Sequence, residues 1–170
     1  MSLASSSQSA GMTLGTTHAG FSITGGAANT FATANTFNFL INGKSGTFAS
    51  GAGQATPTTD INTAAAFLAI PKNYGSVFVF GVNAAGTIQA AQSPGNLSTP
   101  GYVALDASGA FLLEPPFPAL PDNFVPFGYL VIKNGSTGSN FTFGTTNWNA
   151  TGITATAVSI GAMPDRPQIA

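Results

Sequence analysis

Charged side chains are scarce in this 170-residue chain. Only 5% of its residues are Asp, Glu, Lys or Arg, whereas an ordinary soluble domain has about 25%. Four basic and five acidic residues leave a formal net charge of −1 at pH 7. Such a chain offers no cationic surface to a phosphate backbone. We therefore expect no nucleic-acid partner, and a surface made of Thr, Ser, Asn, Gln, Gly and Ala.

Cysteine is absent and histidine occurs once, which restricts the available chemistry. Without cysteine the chain forms neither disulfides nor thiolate metal sites. No run of about 18 apolar residues is present, so we expect no membrane-spanning helix and no membrane partner. The N-terminus also lacks the basic and apolar regions of a secretory signal. We expect no bound cofactor.

The few titratable side chains do not form a recognisable catalytic set. His18 lies in a segment that has no acid or base near it in sequence, so nothing there would hold a catalytic base. Structural roles account for most of the acids, because Asp and Asn next to turns and prolines bond to local amides. A calcium site made of Asp and backbone oxygens stays open. We therefore expect that the protein is not an enzyme. The acids considered as a glycosidase pair are Asp60, Asp106, Glu114, Asp122 and Asp165.

Gly43-Lys44-Ser45 matches the end of a phosphate-binding loop and is the clearest candidate for a nucleotide site. The first glycine of that motif would fall at position 38, where the chain has Asn38. Strand and glycine-rich loop follow, rather than the helix that the motif requires. Asn42-Gly43 between apolar runs is typical of a hairpin turn. GAGQAT at 51–56 is likewise predicted to be a loop.

From residue 37 onward, short β-like runs alternate with turn signals. This spacing predicts an all-β fold, a compact antiparallel sandwich or barrel with hairpins. Residues 83–86 and 106–109 each place Asn or Asp first and Gly fourth, which predicts type I turns closed by a glycine bulge. Asn134-Gly135 predicts a third tight turn. The predicted strand segments are TFNFLI, SVFVFGV, TIQAAQ, GYVAL, AFLL, FGYLVI, NFTFG and ITATAVSI.

Two other segments of this region are not predicted to be strands. Residues 60–68 favour at most one or two helical turns, capped by Asp60. Five prolines between residues 115 and 126 exclude a central strand and indicate an ordered, extended crossover.

The first 36 residues contain no Lys, Arg, Asp or Glu. With so few large apolar residues, the segment alone cannot offset the roughly 1–2 kcal/mol per residue that ordering a backbone costs. We therefore divide the chain into an extended N-terminal arm, residues 1–36, and a β-rich domain, residues 37–170. The arm is expected to add short strands to neighbouring subunits. The candidate contacts to another subunit, or to a larger assembly to which it attaches, are Leu14, Phe21, Ile23 and Phe31.

Five stretches of the chain carry a family resemblance. In their order and number they resemble small Ala/Gly/Thr-rich virion proteins of tailed bacteriophages, over roughly residues 37–170. The resemblance implies a capsid decoration, or cement, protein on the outer surface of the phage head. It also implies a homotrimer bound to the major capsid protein. The stretches are FLINGK at 39–44, VFVFGVNAAG at 77–86, PALPDNFVPFGYLVIK at 118–133, FTFGTTNW at 141–148 and MPDRPQIA at 163–170.

A phage fibre or receptor-binding component is the alternative function. NFTFGTTNWN at 140–149 places Trp148 among amide side chains, an environment that suits a sugar. Trp148 is therefore the candidate contact to a host surface glycan. A bacterial adhesin and a hydrolase are further alternatives, which the missing signal and the missing acid/base set make weaker.

Overall fold

The computed structural model describes residues 12–161 together with Pro164 and Pro167. Within these residues the chain forms eleven β-strands and no helix, which confirms the all-β class. The strands are β1 (Leu14–Gly15), β2 (Phe21–Ile23), β3 (Phe31–Thr33), β4 (Phe37–Ile41), β5 (Lys44–Phe48), β6 (Gly51–Gln54), β7 (Tyr74–Asn83), β8 (Ile88–Gln92), β9 (Val103–Ala104), β10 (Phe124–Asn134) and β11 (Ile153–Ser159).

These strands form three antiparallel sheets that pack together. The largest, called the central sheet below, has the order β11-β10-β7-β8, with β9 also paired to β7. Two small sheets have the orders β1-β4-β5 and β2-β3-β6. The sequence predicted either a sandwich or a barrel. The structure excludes the barrel, because no sheet closes on itself within the described residues.

The two middle strands of the central sheet are buried on both faces. In β7 every residue from Gly75 to Val82 is buried, which explains why SVFVFGV is a continuous apolar run rather than an alternating one. β10 pairs with β7 from Phe124 to Asn134, with a register shift between Pro126 and Gly128. Layers on both sides of the central sheet therefore exclude water from it.

Pro126 lies inside β10, against the prediction that the proline-rich stretch cannot belong to a central strand. The reason is local. β11 begins to pair with β10 only at Gly128, so at Pro126 the strand has a neighbour on the β7 side alone. A bulge at the edge of a ladder is where a residue without an N–H is tolerated.

One face of the central sheet is covered by a cluster of aromatic rings, called the first cluster below. The Phe31 ring lies 5.3 Å from Phe80, and the Phe37 ring lies 5.7 Å from Phe127, centroid to centroid. Rings at such distances gain more than their buried area alone provides. Its buried aromatic members are Phe21, Phe31, Phe37, Phe39, Phe67, Phe78, Phe80, Phe127, Phe141, Phe143 and Trp148.

The opposite face carries a smaller second cluster, which the proline-rich crossover covers. The Phe117 ring meets Tyr129 edge-on at 5.1 Å. Residues 114–121 have no regular secondary structure, as expected for this proline-rich stretch, although its last proline, Pro126, lies in β10. The buried members of the second cluster are Val77, Val79, Phe124, Tyr129, Val131 and Ile160.

The described part of the predicted arm, residues 12–36, is extended but packs within its own chain. β1 pairs with β4, and β3 pairs with both β2 and β6. The Phe21 ring lies directly over the backbone of Gly128, where a Cβ would overlap it. The division at residue 36 therefore needs correction for residues 12–36, because they pair with β4 and β6 from beyond that boundary. Residues 1–11 lie outside the described residues.

Local turn chemistry was predicted well. Asn42 and Gly43 both have positive φ, 51° and 75°, and join β4 to β5 as a tight hairpin. The Gly86 N–H donates to the Asn83 carbonyl at 2.9 Å, and the Gly109 N–H donates to the Asp106 carbonyl at 3.1 Å. Both glycines have positive φ, as the glycine-bulge turns require.

Residues 60–68 agree with the prediction of at most one or two turns capped by Asp60, since the Ala64 N–H donates to the Asp60 carbonyl at 2.8 Å and no regular helix follows. The Asp60 N–H closes this loop by donating to the Ala65 carbonyl at 2.8 Å.

Three other local predictions were wrong. Asn134-Gly135 is not a tight turn, because Asn134 ends β10 in register with both Tyr74 and Ile153. GAGQAT is not only a loop, because Gly51–Gln54 form β6. The AFLL and NFTFG segments contribute only isolated bridges, at Phe111 and Phe141.

Candidate functional site

Trp148 lies in the first cluster and is only 4% exposed. Its indole N–H donates to the Thr30 carbonyl at 2.7 Å, and its ring lies 5.9 Å from that of Phe143. A sugar stacks on an exposed ring face, and this ring has none. The prediction of Trp148 as a glycan contact is therefore wrong for this fold, and its role is to anchor the loop before β11.

The four predicted contacts of the arm do not form an outer surface. Phe21 and Phe31 are buried in the first cluster, against rings of their own chain. Leu14 is half-buried and pairs with Leu40, while Ile23 is half-buried against the same cluster. Phe21 and Phe31 are corrected from contacts between subunits to contacts within the chain, because they pack on Phe80 of β7 and Phe127 of β10.

The GKS motif forms a hairpin rather than a phosphate site. Lys44 and Ser45 begin β5, and the Gly43 N–H donates to the Met12 carbonyl at 3.0 Å. A phosphate loop needs successive amides pointing at one ligand, whereas these are in a ladder. His18 is exposed, and its Nδ1 accepts from the Gly20 N–H at 3.3 Å.

Asp60 has a structural role that uses both of its carboxylate oxygens. Oδ1 accepts from the Asn62 N–H at 2.7 Å, and Oδ2 accepts from the Gln92 N–H at 2.9 Å. The buried carboxylate therefore fastens the 60–68 loop to the end of β8. Gln92 continues the connection, since its Oε1 accepts from the Leu68 N–H at 2.8 Å. Sequence reasoning missed Gln92, since a glutamine in TIQAAQ carries no signal of its distant partners.

The other acids sit in separate places. Asp106 starts its turn, and hydrogen bonds from the Ser108 side chain and the Ala110 amide lower the pKa of its carboxyl. Asp122 lies in the turn before β10, and Glu114 lies in the crossover. Asp165 is outside the described residues. Within the described part of the chain, no group of three or more His, Cys, Asp or Glu could hold a metal ion.

β11 is an open edge of the central sheet. It pairs with β10 over its whole length without a register shift, and no strand of the described residues pairs with its other side. It contains no charged residue and no proline, and its Thr154 and Thr156 are exposed. β2 lies beside the C-terminal end of this strand, where Ser159 Oγ accepts from the Phe21 N–H at 2.8 Å. Proteins commonly protect such edges with Lys, Pro or a bulge, and β11 has none of these.

The opposite edge of the central sheet is covered by the chain itself. The Ile61 N–H donates to the Ala90 carbonyl of β8 at 2.9 Å, so the 60–68 loop lies along that strand. The outer strand of one small sheet, β5, is also open but carries Lys44. The outer strands β1, β2 and β6 of the small sheets are also uncharged but have at most 4 residues, whereas β11 has 7. Among the described residues, β11 is therefore the longest uncharged edge that could receive a strand from a partner. The sequence predicted the strand but not that it lies at an edge.

Comparisons with protein-family models, curated proteins and solved structures found no match to this chain. Within the described residues, no helix has the length and apolar character needed to cross a membrane.

Proposed function

We propose that this chain is a structural virion protein, a decoration or cement protein on the outer surface of a tailed-phage head. It would act as a homotrimer and bind the major capsid protein. The proposal rests on the sequence resemblance over residues 37–170 and on one structural observation, the open and uncharged edge of β11. Neither an enzymatic activity nor a cofactor is part of this proposal.

An open edge suits attachment to many identical positions. Backbone N–H and C=O groups along an edge pair with any extended partner strand, while side chains on alternate positions supply the specificity. With Thr154 and Thr156 exposed and no charge in the strand, such pairing depends little on ionic strength. A cement protein of this kind needs a rigid domain with a large contact surface, and the ring-packed core supplies the rigidity.

A fibre or receptor-binding role receives no support from the geometry, because its candidate contact, Trp148, is buried. Of the acids that could serve a hydrolase, Asp60 and Asp106 have structural partners instead. We therefore favour a binding module over both alternatives.

The decisive experiment is to locate the chain in purified virions by a cryo-EM reconstruction and to count its copies on a quantitative gel. A decoration protein lies at local threefold positions of the head in hundreds of copies. We also expect it to remain on heads washed in about 1 M salt, where screening acts over only about 3 Å. Its absence from virions, or tens of copies confined to the tail, would overturn the proposal, and release by salt would exclude uncharged attachment.

A charge on the edge tests the role of β11. Thr156→Lys places an ammonium on an exposed edge position opposite the buried Val131, so it should block strand addition. We expect binding to heads that lack the protein to fall at least about tenfold, while the melting temperature changes little. Ser136→Lys, on an exposed loop, is the matched control. Equal binding of both variants would exclude this edge.

A further inference from the structure

Four exposed leucines lie along the sheet edge opposite β11. Leu68 ends the 60–68 loop and bonds to Gln92 at the end of β8, and Leu97 lies in the loop that joins β8 to β9. The Leu112 N–H donates to the Ala104 carbonyl of β9 at 3.0 Å, and Leu113 follows it. We call these four residues the leucine edge. Their exposed fractions are 50% for Leu68, 107% for Leu97, and 62% each for Leu112 and Leu113.

Such exposure is unusual in this chain, because most of its large apolar side chains are in the two clusters. A single exposed leucine needs no explanation, but several along one edge indicate a contact surface. Leu97 is the extreme case, since its side chain is as accessible as in an extended peptide.

A groove of about 480 Å³ opens on the same edge. Its apolar walls come from Leu68, Pro94, Pro100 and Pro118. The charged side chain and the Gln92 amide in its lining already have partners: both Asp60 oxygens accept backbone N–H groups, and the Gln92 amide bonds to backbone on both its oxygen and its nitrogen. The groove therefore suits an apolar side chain, because its one carboxylate is already hydrogen-bonded within the chain.

The loop that carries Leu97 also borders the groove. Pro94 and Pro100 line the groove at the two ends of this loop, and Leu97 projects between them. One surface thus has both a protruding leucine and a concave apolar site of a size that accepts it. Because the whole chain has a net charge of only −1, the electrostatic repulsion between two copies is small.

We propose that Leu97 of one copy inserts into the groove of a second copy, between Leu68 and the prolines. This contact rests on the self-association in the proposed function and names the surface that produces it. It joins two different patches, the leucine and the groove, and such contacts close into rings when the rotation between copies allows. The partner is a second copy because the leucine edge itself supplies the apolar, uncharged counterpart that the groove requires.

The first test is the oligomeric state of the purified full chain, measured by light scattering over a concentration series. The unchanged protein should give a multiple of 17.0 kDa. Leu97→Ser should weaken the contact, so the protein concentration at which half of the oligomer has dissociated should rise about 10- to 100-fold. Met12→Ser is the matched control, since Met12 is also exposed, at 41%, but lies next to β1. A monomeric unchanged protein, or a Leu97→Ser variant that associates equally well, overturns the contact.

The second test uses the absence of cysteine from the chain. A Leu97→Cys chain mixed with an Ala66→Cys chain should form a disulfide-linked dimer between the two, because Ala66 lines the groove. Met12→Cys mixed with Ala66→Cys measures random collision. Cross-linking no faster than in that control overturns the insertion of Leu97 into the groove. Both tests use purified protein without virions, so their failure is distinguishable from failure of the decoration role.

Discussion

The two faces of the central sheet are covered in different ways. Over the first face lie two small sheets and buried aromatic rings, including Phe21 and Phe31 from the N-terminal segment. Over the second face lies an extended crossover whose Phe117 and Leu120 are only half-buried. Regular strands pack whole rows of rings at once, whereas a proline-constrained loop packs single side chains. The comparison indicates that most of the stability comes from the first face, and that the N-terminal segment is a large part of it.

Removal of residues 2–35 should have the largest effect. This deletion removes β1, β2 and β3, and with them Phe21 and Phe31 from the first face. Losing one buried Phe costs about 3–5 kcal/mol, while a whole domain is stable by about 5–15 kcal/mol. We expect the shortened chain to lose its cooperative thermal transition in circular dichroism and to bind a hydrophobic dye. A sharp transition near that of the full chain would instead show that residues 37–170 fold without the N-terminal segment.

A matched pair of single substitutions compares the two faces directly. Phe31→Ala should lower the free energy of unfolding by about 3–5 kcal/mol, because its ring is fully buried among Phe21, Phe80 and Phe127. Phe117→Ala should lower it by about 1–2 kcal/mol, since part of that ring already meets water. Urea unfolding measures both. Equal losses would mean that the loop-covered face contributes as much as the ring-covered one.

The smallest effect concerns the hairpin at Asp106, on a turn outside both clusters. Its folded pKa lies below the ordinary value because the Ser108 hydroxyl and backbone amides bond to the ionised carboxylate. The stabilisation is therefore complete above the unfolded pKa of about 3.9 and is lost as the pH falls through the lower folded value.

Asp106→Asn keeps an acceptor in the turn but cannot titrate, so it serves as the comparison for that pH effect. Between neutral pH and about pH 3, the urea midpoint of the unchanged protein should fall slightly more than that of Asp106→Asn. The carboxylate is fully exposed, so the difference is expected to be small. Parallel curves would show that this carboxylate does not contribute to the pH dependence.

The predictions that succeeded depend on residues close together in the chain. Asn42-Gly43 sets its own hairpin because both residues take positive φ, and the Asn83 and Asp106 turns close between neighbours. Those that failed depend on distant partners. The Trp148 indole bonds to Thr30, 118 positions away, and nothing in the local sequence around Trp148 indicates that bond.

The N-terminal segment shows the same limit. Its composition predicts that residues 12–36 cannot bury themselves, and in the structure they pair with β4 and β6. Composition does not reveal that Gly128 leaves room for the Phe21 ring on the sheet below. A segment that is too polar to fold alone can therefore still be an essential cover for a core made elsewhere in the chain.

Composition fixes the near-absence of charge, and local sequence predicts the all-β class, the hairpin turns and the strands β4, β7, β8, β10 and β11. The strands and turns follow from backbone preferences and side-chain alternation within a few residues. Which strand is an open edge, which leucines stay exposed and which aromatic rings are buried depend on the fold, because burial is set by what lies opposite in space. The Phe21 amide, for example, bonds to Ser159, 138 positions along the chain.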